Sequence, residues 1–320
     1  MENVVGLSLL HATEAGALAA ARAAGFGDKH RADQEAVLAM REHLNSIEFR
    51  GLVVIGEGER DKAPMLYIGE KLGTGSGVEI DIAVDPLENT NATASLGSRA
   101  ISVLAASEKG GLFHAPDMYM EKLIVGPESM GKVSLDAPVK ENLKAVAQAL
   151  NREIRDLVVV VLERERNERQ VLEIRKAGAR VKLVADGDLL PGVAVAIRGT
   201  GVHVVMGIGA APEGVITAAG LRCIGGEIQA RFWPKSDNEV ARLKKMGGKI
   251  DKIYNQDELA SGRKILFCAT GVTGGDLLEG VRFFGGGART NSMLLSTETE
   301  KVRFIDTIHT FDKRVIKYTL

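Results

Sequence analysis

Short runs rich in Val, Ile and Leu alternate with helical segments through the second half of this 320-residue chain. LVVVVL (157–162) precedes a helical stretch at 168–177, and RVKLVA (180–185) and VHVVM (202–206) follow, the latter leading into a helix at 213–223. KILFC (264–268) is followed by a predicted helix at 275–281, and two strand-like runs, 290–296 and 301–309, close the pattern. Strands this uniformly apolar need cover on both faces, so the chain reads as an α/β protein.

The first half fits the same class. Residues 8–24 are Ala-rich with helical spacing and end at Gly25–Gly27. A second helix is predicted over 32–44, a strand over 51–55, and a helix over 61–72 with Asp61 as its N-cap. VEIDIAVD (78–85) alternates apolar and polar residues and is expected to stop at Pro86. Further strands are predicted at 99–107 and 121–125, and a helix at 139–150. Gly126-Pro127 and Asp136-Ala137-Pro138 mark a soft boundary, giving halves of 1–135 and 136–320.

Composition removes several function classes. With 41 basic and 42 acidic residues the formal charge is −1, which excludes broad attraction to nucleic acid or an anionic membrane. Aromatic residues are only 4%, too few for single-strand stacking platforms. No run of about 18 to 20 apolar residues stands out as a membrane span, and no basic segment precedes Leu7–Leu10 as in a signal peptide. Cys223 and Cys268 form no motif and read as reduced core residues, which makes the cytoplasm the expected compartment.

The chemistry concentrates in acids at strand ends. Asp85-Pro86-Leu87-Glu88-Asn89-Thr90 follows the alternating strand, and Pro86 lets Asp85 and Glu88 turn toward one point. Such oxygen-rich clusters hold hard divalent cations, here Mg²⁺ or Mn²⁺, with the Leu87 carbonyl as a further donor. Thr90 offers a hydroxyl beside them. A second acidic group, Glu57 through Asp61, also follows a strand, and Asp33 and Glu213 can add ligands from helices. Carboxylates gathered this closely repel unless a cation joins them.

Open carboxylate metal sites commonly serve phosphoryl substrates. Arg164-Glu165-Arg166 and Asp186-Gly187-Asp188 each end a strand, and Gly207 through Gly214 joins a strand to a helix. Lys29, before the second helix, supplies another cation. The chain has neither a dinucleotide-binding fingerprint nor a G-x-x-x-x-G-K-[ST] loop, and its six histidines lack metal spacing.

Together these segments resemble the class II fructose-1,6-bisphosphatases, including the dual fructose/sedoheptulose type. The resemblance runs nearly end to end, through GDKHRAD (27–33), VVIGEGERDKAPMLYIGEKLGTG (53–75), DIAVDPLENTNATA (81–94), APDMYMEKLIVGP (115–127), DGD (186–188), GIGAAPEG (207–214) and ATGVTGGDLLEG (269–280). It implies a layered sugar-phosphatase fold of alternating helix and sheet layers, akin to the inositol-phosphatase-like superfamily. It also implies Mg²⁺- or Mn²⁺-dependent hydrolysis of the 1-phosphate of fructose 1,6-bisphosphate. Apart from the resemblance, apolar stripes on the Ala-rich first helix point either to a homo-oligomer contact (dimer or tetramer) or to core packing. Asp33, Glu57, Asp85, Leu87, Glu88 and Glu213 take the places of metal ligands. Lys29, Glu57, Asp61 and Thr90 surround the reacting phosphate and water. By the same resemblance, Glu88, Asn89, Thr90, Tyr119, Arg164, Glu165, Arg166, Asp186, Gly187, Asp188 and Ala210 are expected to contact substrate.

The chain departs from the family pattern at four positions: Asn89 and Ala210 replace glycines, and Glu165 and Asn167 replace a proline and a histidine. If position 89 needs a positive φ, Asn is the cheapest replacement. These changes leave the metal acids intact and bear on the substrate side. Two rival readings follow: a sedoheptulose-bisphosphatase or other sugar or inositol phosphatase, and a sugar-phosphate sensor without turnover.

Overall fold

The computed structural model describes residues 1–58 and 65–311. Asp61 and the first part of the helix predicted over 61–72 lie outside the described residues.

Two mixed sheets alternate with helices in layers. Strands β1 (Phe49–Ile55), β2 (Lys71–Leu72), β3 (Val78–Glu88), β4 (Ile101–Glu108), β11 (Ile265–Gly271), β12 (Arg282–Phe284), β13 (Gly287–Ser296) and β14 (Lys301–Thr310) form an eight-stranded sheet. Strands β5 (Tyr119–Val125), β6 (Val158–Leu162), β7 (Arg180–Val184), β8 (Val204–Ala210), β9 (Glu227–Trp233) and β10 (Ile253–Tyr254) form a six-stranded one. Strand membership does not follow the expected division at 135/136: β5 already belongs to the second sheet, and β11 to β14 return to the first.

Each apolar face finds a helical layer. Helices α1 (Leu7–Arg22) and α2 (Lys29–Asn45) place Leu9, Leu10, Val37 and Met40 on Phe49, Ile80, Ile82 and Leu104 of the first sheet. Its opposite face, with Val103, Phe267 and Met293, meets α6 (Leu189–Ala194) and α7 (Ala211–Ile224). Those helices also cover Met120, Ile124 and Val205 of the second sheet. The far face of that sheet carries Leu123, Val159, Val161 and Met206. It is closed by α4 (Val139–Ala149) and α5 (Glu168–Ala177) through Leu143, Val146 and Ile174. Full burial of each such aliphatic side chain contributes about 1.5–3 kcal/mol.

Several expected elements differ. Residues 65–72 are no helix: Leu66 turns at φ 51°, its carbonyl accepts from Glu57 N at 3.0 Å, and β2 then pairs antiparallel with β1. Pro86 does not end its strand. The β3–β4 register shifts between Asp85 and Glu88, so no ladder hydrogen bond is asked of Pro86. The segment 275–281 is a turn rather than a helix, with Gly275 N donating to Leu278 O and Val281 N to Val272 O. Gly207 to Gly209 lie within β8 rather than after it. The sequence pattern also missed β9 and helix α8 (Asp237–Lys245).

The continuous helical run Glu2–Arg22 does reach membrane-spanning length and apolarity, contrary to expectation. It packs as a core helix, with Leu9, Leu10, Ala12, Ala17 and Ala20 fully or nearly fully buried. Cys223 and Cys268 are free and buried as predicted, and burial pushes the Cys223 thiol up to about 12.

Candidate active site

The C-terminal ends of β3, β6, β7 and β8 open onto one cavity of about 240 Å³, where ligands commonly gather in α/β sheets. Thirteen of the sequence-predicted residues line it: Asp85, Leu87, Glu88, Asn89, Thr90, Tyr119, Arg164, Arg166, Asp186, Gly187, Asp188, Ala210 and Glu213, with Leu162 completing the wall.

The bulge at the end of β3 aims the first acids. Glu88 is buried, and its Oε1 accepts from Leu189 N at the start of α6, 3.2 Å away. Gly187, at φ 78°, passes 3.5 Å from that carboxyl at the place a Cβ would occupy. Asn89 does stand at positive φ, 71°, where glycine or asparagine costs least. Its side chain caps helix α3 (Thr90–Ser95) by accepting from Ala92 N at 3.2 Å. Thr90 is the first residue of that helix.

Across the cavity the charges are paired. Arg164 lies 3.7 Å from Asp186, and Arg166 donates to Ile208 O at 3.0 Å with its guanidinium 4.2 Å from the centre of the Tyr119 ring. Asn167 is structural. It accepts from Ile208 N at 2.8 Å and donates to Leu162 O at 3.0 Å, bridging β6 and β8. Glu165 is exposed and does not line the cavity. Ala210 has ordinary extended backbone, φ −73° and ψ 151°, so nothing there demands glycine.

Asp33, Glu57 and Lys29 stand outside the cavity wall. Lys29 is exposed as the first residue of α2. Asp33 and Glu57 reach the cluster electrostatically. Burial and then Asp33 push Glu57 up to about 8. Burial, then Glu88, Glu57, Glu213 and Asp33, hold Asp85 well above its usual range. Glu88 is raised by burial and by Asp188 and Glu213, while burial sends Glu213 up to about 7 against the pull of Lys122.

Two cations went unnoticed in the sequence. Lys122 is fully buried on β5, 2.5 Å from Asp188 and 3.2 Å from Ala210 O. Lys235 sits 3.9 Å from the centre of the Tyr119 ring. The inward position of Lys122 between Met120 and Ile124 was a signal the strand alternation could have given.

The donor chemistry fits a divalent cation. Glu213 Oε2 is buried without a hydrogen-bond partner, and the acids around it supply hard oxygen atoms. As these side chains stand, no three acidic, His or Cys groups among the described residues close around a single point.

A layered α/β chain whose cavity sets crowded acids against arginines has the parts that a metal-assisted phosphatase needs. This one belongs to the family described as bacterial fructose-1,6-bisphosphatase, glpX-encoded, which it matches over residues 3–309. It is 50% identical to the D-fructose 1,6-bisphosphatase class 2/sedoheptulose 1,7-bisphosphatase of Synechococcus sp. (strain JA-2-3B'a(2-13)), covering 98% of this chain and 97% of that one. A protein of that name from Synechococcus elongatus is 48% identical, with 98% of each chain covered. Another, from Thermosynechococcus vestitus, is 49% identical with the same coverage.

Proposed function

We propose that this chain hydrolyses fructose 1,6-bisphosphate to fructose 6-phosphate and phosphate. The observation that carries this reading is the opposition, across one cavity, of crowded carboxylates to Arg164 and Arg166. The names of the relatives support the same substrate and add sedoheptulose 1,7-bisphosphate as a second one.

Asp85, Glu88 and Glu213, with the Leu87 carbonyl, would hold Mg²⁺ or Mn²⁺, joined by Asp33 and Glu57 on the adjoining side. Such an ion neutralises phosphate charge and activates water. The chain's own residues do the rest. Arg166, held by Ile208 O and Tyr119, presents a planar fork to the distal phosphate, with Arg164 beside it. Asp186 and Asp188 accept from sugar hydroxyls, and Gly187 leaves room for the ring. Thr90 orients the attacking water, Lys29 adds positive charge, and Glu57 or Asp61 accepts the proton. Burial and then Asp33 push the Glu57 carboxyl up to about 8, so a positive charge beside it would favour the ionised form that accepts a proton. Residues 1–135 thus contribute most of the ion-holding acids and 136–320 the sugar-phosphate contacts, within an inositol-phosphatase-like layering.

A homo-oligomer is part of this reading. Edge strand β14 exposes Val302, Phe304 and Ile308. The buried free thiols suit a reducing cytoplasm.

The test is phosphate release from fructose 1,6-bisphosphate with Mn²⁺, Mg²⁺ or EDTA. Release with metal and none with EDTA is expected. Tight sugar-phosphate binding without release under either metal would instead favour the sensor.

A further inference from the structure

Lys122 is a charged residue in a core position. It shares the inward face of β5 with Met120 and Ile124, and only 1% of its side chain is exposed. A Met or Leu there would fill the space without the several kcal/mol that burying an ammonium costs. The neighbourhood is shaped to admit it. A Cβ on Gly209 would stand 2.7 Å from Lys122 Nζ and 2.3 Å from Asp188 Oδ2, so glycine there leaves the room in which the pair meets beneath β8. The ammonium bridges two parts of the cavity wall: it meets Asp188 Oδ2 at 2.5 Å and donates to Ala210 O at 3.2 Å. Asp188 comes from the start of α6 and Ala210 from the end of β8, immediately before the helix bearing Glu213.

We propose that Lys122 is a positioning residue for the sugar side of the site. It occupies one oxygen of Asp188 and ties that acid to the β8–α7 corner, leaving the other oxygen aimed at a substrate hydroxyl. The inference rests on the assignment of Asp188 to the sugar. A merely structural ion pair would affect every substrate alike. A positioning role predicts loss confined to substrates that carry the sugar.

The test compares wild type, Lys122→Met, Asp188→Asn and the double variant, each with Mn²⁺. The substrates are fructose 1,6-bisphosphate and p-nitrophenyl phosphate, which lacks sugar and distal phosphate. For Lys122→Met, kcat/KM on the bisphosphate should fall about 30-fold, mainly through KM, the scale of one lost charge-assisted hydrogen bond. On p-nitrophenyl phosphate the fall should stay under about threefold, and the double variant should be no worse than the poorer single variant. Equal losses on both substrates, or losses that multiply in the double variant, would overturn the inference. If Lys122→Met does not fold, the double variant, which removes both charges together, is read against Asp188→Asn. Matching profiles support the inference, and a further loss shared by both substrates overturns it. A wild type inactive on both substrates would fail the underlying activity and this inference with it; an active wild type with equal losses fails the inference alone.

Discussion

The two sides of the cavity handle charge in opposite ways. On the β3 side Asp85 and Glu88 crowd together, with Glu57, Asp33 and Glu213 near Asp85; burial raises all five carboxyls, and neighbouring acids of the cluster push Glu57, Asp85 and Glu88 further. On the β6–β8 side each acid has a cation from the chain itself, Lys122 for Asp188 and Arg164 for Asp186. The second side is complete as folded. The first gathers more carboxyls than the chain's own cations offset and so holds protons at neutral pH; in this account a divalent ion from solution displaces them. On the proposed reading, catalysis belongs to the first side and substrate grip to the second.

Variants on the two sides should therefore fail differently. Asp85→Ala is expected to have the largest effect, with kcat reduced about 10³-fold or more by loss of ion-held charge stabilisation. The same substitution removes a repelling carboxylate, so its thermal unfolding in EDTA should be no earlier than wild type. Retained turnover would break the division. Arg166→Met comes next: KM should rise about 10- to 50-fold with kcat little changed, as for loss of a forked phosphate contact. Steady-state kinetics distinguishes it from the first variant.

The ion-free protein should also lose stability as pH rises. Glu213 and Glu57 sit at about 7 and about 8 when folded, against about 4.5 unfolded. Between those values the folded state holds extra protons, so its advantage declines as pH climbs from about 5 to about 9. Unfolding in EDTA should then move down by roughly 5 °C or more, and Mn²⁺ should reverse the trend. The smallest effect is expected at Asn89. Asn89→Ala loses the cap to Ala92 at positive φ and should cost about 1–2 kcal/mol, while Asn89→Gly should stay within about 1 kcal/mol of wild type. Denaturant titration measures both.

Much of the first side was legible as sequence, because the alternation of 78–85 followed by Pro86 puts Asp85 and Glu88 together near the C-terminal end of one strand. The bulge that aims them was not: Pro86 reads as a strand stop, and only pairing with β4 shows that its missing N–H is tolerated. On the second side Arg164, Arg166 and Asp186-Gly187-Asp188 were visible as polar strand ends. Lys122 was passed over because a lone lysine in MYMEKL reads as an outward-facing charge, although its alternation with Met120 and Ile124 puts it on the inward face of β5. Residues 65–72 misled because helix-forming composition there yields to long-range pairing with β1.

The most direct test of the division is calorimetric titration of Mn²⁺ into ion-free wild type and Asp85→Ala, in two buffers of different ionisation enthalpy. At about pH 6.5 the account predicts saturable binding to wild type with release of protons from the raised carboxyls, less release near pH 9, and much weaker binding to Asp85→Ala. Absent saturable uptake, or uptake with no proton release at the lower pH, would contradict it.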